Sequence, residues 1–105
     1  METMNPEQQR IAIAEACGWT DIKPHSWHQW EVELWGRRKG IRNKIPNYLN
    51  DLNAMAAAES IIIKAGAQTI RLYEDALQKF VSNIVFASAG QRAEAFLKTL
   101  NLWKV

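Results

Sequence analysis

The sequence predicts an α+β domain of about four helices packed on a small antiparallel sheet of two or three strands. Three observations carry this prediction. Helix start and stop signals recur along the chain, at Asn5-Pro6, Gly18, Gly66 and Ser88-Ala89-Gly90-Gln91. Residues 30–35 alternate apolar Trp30, Val32 and Leu34 with Glu31 and Glu33, the period of a half-buried strand. The 105 residues suffice for one hydrophobic core and not for two, so residues 1–105 read as a single domain.

The first helix is expected to open at Asn5, a good N-cap, followed by Pro6 at the first helical position. Glu7 suits the positive end of the helix dipole. The helix should run to about Ala16 and stop at Gly18. Residues 19–26 contain Pro24 and polar punctuation and read as a loop. The strand at 30–35 follows, with Trp35 on the side of the two glutamates. Gly36 is expected to begin a turn, and residues 41–45 to return as a second strand.

The second helix is expected from a cap at Asn47 to about Lys64, with Leu49, Leu52, Met55, Ala56, Glu59, Ile62 and Ile63 at helical spacing. Residues 65–67 end it, and a third helix covers about 68–82. Residues 84–86 form a β-branched and aromatic run that reads as a short buried strand. Ser88 and Gln91 have capping-box spacing, which opens a last helix reaching about Leu100. Ala93, Phe96, Leu97 and Leu100 are its inner stripe.

Hydrophobic residues make up 48% of the chain, but 14 of them are alanines, so bulk must come from elsewhere. Five tryptophans are the source, four of them (Trp19, Trp27, Trp30, Trp35) within 17 residues. Trp19 and Trp103 follow helix ends and read as packing clamps. Trp35 alone has a pattern reason to face outward.

A net charge of +2 is too balanced for a dedicated nucleic-acid binder. The distribution is uneven: residues 1–36 carry −4, residues 37–44 carry +5, and residues 45–105 carry +1. One cysteine, Cys17, allows no internal disulfide and no Cys-rich zinc site, which fits a reducing cytoplasm. The first ten residues lack a signal-peptide pattern, and the longest aliphatic run is 61–63. The expectation is a soluble chain with no membrane partner.

No catalytic constellation emerges, and the expectation is a protein that is not an enzyme and needs no cofactor. His25 and His28 begin a metal site only if further ligands fold back to them, and otherwise read as loop or strand-edge histidines. Cys17 reads as a nucleophile or, with more support, as a small buried hydrophobe. Glu31 and Glu33 read as an acid–base pair or a solvated strand face. Asp51 is expected to pair with Arg92 and tie two helices together. The remaining feature is the basic run Arg37, Arg38, Lys39, Arg42 and Lys44 beside Trp35. These six residues are the candidate partner-binding site; a solvated turn guarding a sheet edge is the alternative.

The segments Tyr48-Leu49-Asn50-Asp51-Leu52-Asn53-Ala54-Met55 and 88–100 (SAGQRAEAFLKTL) resemble the phage ABA-sandwich domain family, small proteins of tailed bacteriophages. Ala14-Glu15-Ala16-Cys17-Gly18-Trp19 is similar to the start of that family, where a Gly-Trp pair closes the first helix. Ala56 and Ala57 stand where family members often carry His-Glu, so no role of that pair transfers. The resemblance implies helical layers around a small sheet and a phage origin, and no catalytic residues. The functional expectation is a non-catalytic phage accessory protein in the cytoplasm of the infected bacterium. It would occlude a host protein or nucleoprotein complex, such as a CRISPR or other anti-phage defence factor. The alternatives are a nucleic-acid-binding regulator on the same basic patch and a nucleotide-sequestering protein. An exposed Trp35 also predicts either a partner or a homodimer.

Overall fold

A computed structural model describes residues 4–28 and 31–104, without the side chains at 25–28 and 31–32. The inward or outward placement of Trp27, Trp30 and Val32, and the proposed His25/His28 pairing, lie outside the described residues. The architecture is the expected α+β: four helices packed against a three-stranded antiparallel sheet. The order is α1 (Pro6–Ala16), β1 (Thr20–His28), β2 (Glu31–Arg38), β3 (Ile41–Lys44), α2 (Leu52–Ala65), α3 (Ala67–Gln78), a 3-10 turn (Ile84–Phe86) and α4 (Ala89–Thr99). Among the described residues no helix is long and apolar enough to cross a membrane.

Local chemistry sets the helix ends. The Asn5 side chain accepts from the Gln8 N–H at 2.8 Å, and the Gln8 side chain accepts from the Asn5 N–H at 3.1 Å. Ser88 and Gln91 repeat this reciprocal box on α4. The second helix starts later than expected. Asp51, not Asn47, is its cap: the carboxylate accepts from the Asn53 and Ala54 N–H groups at 2.9 and 3.3 Å. A carboxylate completes exposed amides and opposes the dipole at once, so it outcompetes the asparagine four residues earlier. Gly66, at φ 110°, separates α2 from α3 without a loop. Residues 84–86 are a 3-10 turn rather than a buried strand. The Asn83 side chain accepts from the Val85 N–H, and Val85 and Phe86 are exposed.

The sheet order is β1–β2–β3, so β1 is an edge strand. The segment expected to be a loop is therefore sheet. Pro24 is tolerated because an edge strand has one side with no ladder to donate to. Gly36 lies inside β2, not at a turn. The turn is Lys39-Gly40, both with positive φ (55° and 79°), between the paired residues Arg38 and Ile41. This is the two-residue geometry that matches strand twist.

Helix α4 forms the centre of the core: Ala93, Ala95, Phe96 and Leu97 are fully buried. It meets α1, α2 and α3, and its alanines permit the close approach. Ile13, Met55, Ile62 and Leu77 come from the surrounding helices, and Leu34 and Ile45 from the sheet side. Arg92 does not pair with Asp51. Its guanidinium donates to Glu59 at 3.1 Å and to the carbonyls of Ala87 and Ile84 at 3.1 and 3.0 Å. The Tyr73 hydroxyl also donates to Glu59. Asp51 is committed to its cap, whereas Glu59 sits inside the helical layer where Arg92 can be shielded. The polar cluster joins α2, α3, α4 and the 3-10 turn.

Candidate functional site

The candidate site lies on the outer face of the sheet, and its geometry follows from one irregularity. Thr20 pairs with Arg37 and Lys23 with Trp35, so Asp21 and Ile22 together oppose Gly36. The extra residue makes a bulge, which Asp21 accommodates at φ 51°. A side chain at position 36 would meet the Thr20 carbonyl oxygen at 3.0 Å and side chains of Ile22 and Ile45 at 3.1 Å. Glycine is therefore required for close approach here, not for a turn. The bulge aims Asp21 across the ladder, 3.7 Å from both the Arg37 Nε and the Arg42 guanidinium and 3.4 Å from the Lys23 ammonium.

Strand alternation sorts the predicted residues. Leu34 and Gly36 are buried on the inner face, which places Glu33, Trp35 and Arg37 outward. Register puts Lys44 beside Trp35 and Arg42 beside Arg37 on that same outer face. Four of the six predicted residues, Trp35, Arg37, Arg42 and Lys44, are thus brought together. Lys39 stands in the turn. Arg38 points the other way and lies over the Trp19 ring at 5.9 Å. It braces the core edge instead of extending the basic face.

The outer face is less basic than the run of five suggests. Its described side chains are four cations (Lys23, Arg37, Arg42, Lys44) and two carboxylates (Asp21, Glu33). Arg37 and Arg42 are directly opposite, an arrangement that repels unless a carboxylate lies between them, and Asp21 does. Glu33 holds the Lys44 ammonium at 3.0 Å and accepts from the Trp35 indole N–H at 3.3 Å. Trp35 is half-buried at the centre of this face. Its ion pairs are mostly exposed and of low intrinsic worth, about 0–1 kcal/mol each, so a competing anionic surface can exchange for them. Asp21 and Lys23 were not legible in sequence as site residues, because the bulge that aims them is a tertiary feature.

Below this face Cys17 is half-buried. Burial pushes its thiol up, against the opposing effects of a Tyr48 hydrogen bond and the Arg38 charge. A thiol held protonated is a weak nucleophile near neutral pH. A cleft at the β3–α2 junction adjoins this face and is lined by Arg10, Glu33, Lys44, Ile45, Pro46 and Asn47. Its lining includes no aromatic ring among the described residues. No protein-family model, curated protein or solved structure matches this chain.

Proposed function

We propose that the protein is a non-catalytic binding protein that docks on an acidic partner surface through the outer face of its sheet. The observation that supports this reading is the surplus of cations among the described side chains around Trp35, four against two carboxylates, with Lys39 adding a further charge at the turn. Arginine and tryptophan are the side chains that most often dominate interfaces. The phage origin rests on the sequence resemblance alone. Under it the partner is a host component in the infected bacterium, and a CRISPR or other anti-phage defence factor is the leading class. The mechanism is occlusion of the partner's working surface.

The test is affinity capture from infected cells with the native chain and with Arg37→Glu, Arg42→Glu and Lys44→Glu combined. A partner retained by the native chain and lost by the variant supports the assignment. Equal capture by both removes it.

A second reading, single-stranded nucleic acid on the same face, is favoured by one feature. Trp35 sits on the central strand with Lys23 and Lys44 as its cross-strand neighbours, an arrangement suited to a stacked base flanked by phosphates. Nuclease treatment of the captured complex separates the two readings. Capture through nucleic acid is lost on digestion, whereas direct docking on an acidic protein surface survives it.

A further inference from the structure

Arg10, in α1, stands outside the basic hairpin and does none of the work usually asked of a half-buried arginine. It makes no hydrogen bond or ion pair among the described residues, and its Nε is a buried donor without a partner. A charged donor left in this state keeps its desolvation cost without a compensating hydrogen bond. The same side chain lines the cleft at the β3–α2 junction, a volume of about 340 Å³. That volume is at the lower end of the range of small-molecule sites, about 300–1,000 Å³.

The lining is chemically specific. Ile45 and Pro46 supply an apolar wall, and Asn47 a neutral amide. Among the described lining residues Glu33 and Lys44 lie 3.0 Å apart and offset each other, which leaves Arg10 as the surplus charge. A single negative charge neutralises it. A phosphate dianion would overshoot and sit beside the Glu33 carboxylate. The two terminal nitrogens of the planar guanidinium also match a carboxylate, which can accept two parallel N–H donors, while the buried Nε is closed to it.

We propose that this cleft is a carboxylate-binding site, with Arg10 as the fork and Ile45 and Pro46 as the apolar wall. The carboxylate belongs either to a free low-mass acid or to an acidic side chain of a bound peptide. The cleft shares Glu33 and Lys44 with the outer face, and Arg10, which is not part of the hairpin, is the residue that distinguishes the two.

The test is a titration of the ¹⁵N-labelled full chain, following the arginine Nε–Hε resonances at constant ionic strength. Benzoate, a blocked glutamate tripeptide and inorganic phosphate are the probes. The Arg10 signal is identified by its loss in Arg10→Lys. The expected result is a saturable shift of that signal with benzoate or the peptide, at least about fivefold tighter than with phosphate. The tighter of the two carboxylates identifies the source. Arg10→Gln, its fold verified by amide dispersion, should abolish the melting-temperature rise that the carboxylate gives the native chain. Arg10→Lys, which keeps the charge and loses the fork, should weaken binding by about threefold or more. A linear, non-saturating response, phosphate binding as tightly as carboxylate, or an undiminished response in either variant overturns the proposal. Arg37→Glu with Arg42→Glu should leave this titration intact, so failure here and failure of the outer-face reading are separately visible.

Discussion

Replacing Arg92 by alanine tests how the helical layer is held together. Arg92 is about one-fifth exposed, and so is Glu59, at 20% and 18%. The truncation removes three hydrogen bonds from a charged donor. It leaves Glu59 with the Tyr73 hydroxyl, and the Ile84 and Ala87 carbonyls without this donor. Breaking a buried ion pair from one side costs about 3–5 kcal/mol. Water can recover part of that at this exposure, so the expected loss is about 2–3 kcal/mol. For a chain of this size that corresponds to a fall of roughly 10–20 °C in melting temperature. The assay is urea unfolding of Arg92→Ala, Glu59→Gln and the double variant. The cycle should show a coupling of about 1–2 kcal/mol, since each single change strands the other partner. The parallel cycle with Asp51→Ala should be additive, because Asp51 acts on the α2 amides and contributes about 1 kcal/mol as a cap. Additive losses for Arg92 with Glu59, or strong coupling of Arg92 with Asp51, would refute the assignment.

Two glycines should respond with opposite sign. Gly36→Ala forces a methyl against the Thr20 carbonyl at 3.0 Å and should destabilise by about 1–3 kcal/mol, with faster amide exchange along β1 and β2. Gly90→Ala meets nothing closer than 3.7 Å inside the first turn of α4 and should stabilise by about 0.4–1 kcal/mol in the same unfolding assay. The chain has two tyrosines, Tyr48 and Tyr73, and burial pushes both phenols above the ordinary range; a neighbouring Cys17 and Glu59, respectively, add to the effect. Absorbance at 295 nm should therefore stay flat through pH 10 while the chain is folded. Because the unfolded phenols ionise near 10, the stability contributed by the protonated form is fully present below pH 10 and declines above it. A phenolate rise centred near pH 10 with native circular dichroism would contradict the burial of both rings.

Signals confined to a few adjacent residues survived into the structure. Asn5 caps α1 and the Ser88–Gln91 box caps α4 as the sequence predicts, since the groups involved lie within one turn; the structure adds Gln8 as the reciprocal partner of Asn5. The spacing of Ala93, Phe96 and Leu97 likewise marked the buried face of α4. The cap expected at Asn47 is instead Asp51, a residue expected to pair with Arg92; the carboxylate is the stronger acceptor for the first amides of α2. The run 84–86 has β-forming residues but became a 3-10 turn, because the Asn83 side chain captures a backbone amide there.

The sequence by itself determined the α+β class, the caps of α1 and α4, and a local excess of charge beside Trp35. The tertiary structure alone decided how that charge is divided. The β1 bulge places Asp21 between Arg37 and Arg42, and strand alternation turns Arg38 toward Trp19. It also decided that Arg92 meets Glu59, 33 residues away, and that Arg10 faces a cleft formed by the β3–α2 junction. Caps and periodicity act over one or two turns of chain, so composition and spacing encode them. Cross-strand register and helix-to-helix pairing depend on which surfaces meet once the core closes, and no short window of sequence contains that information.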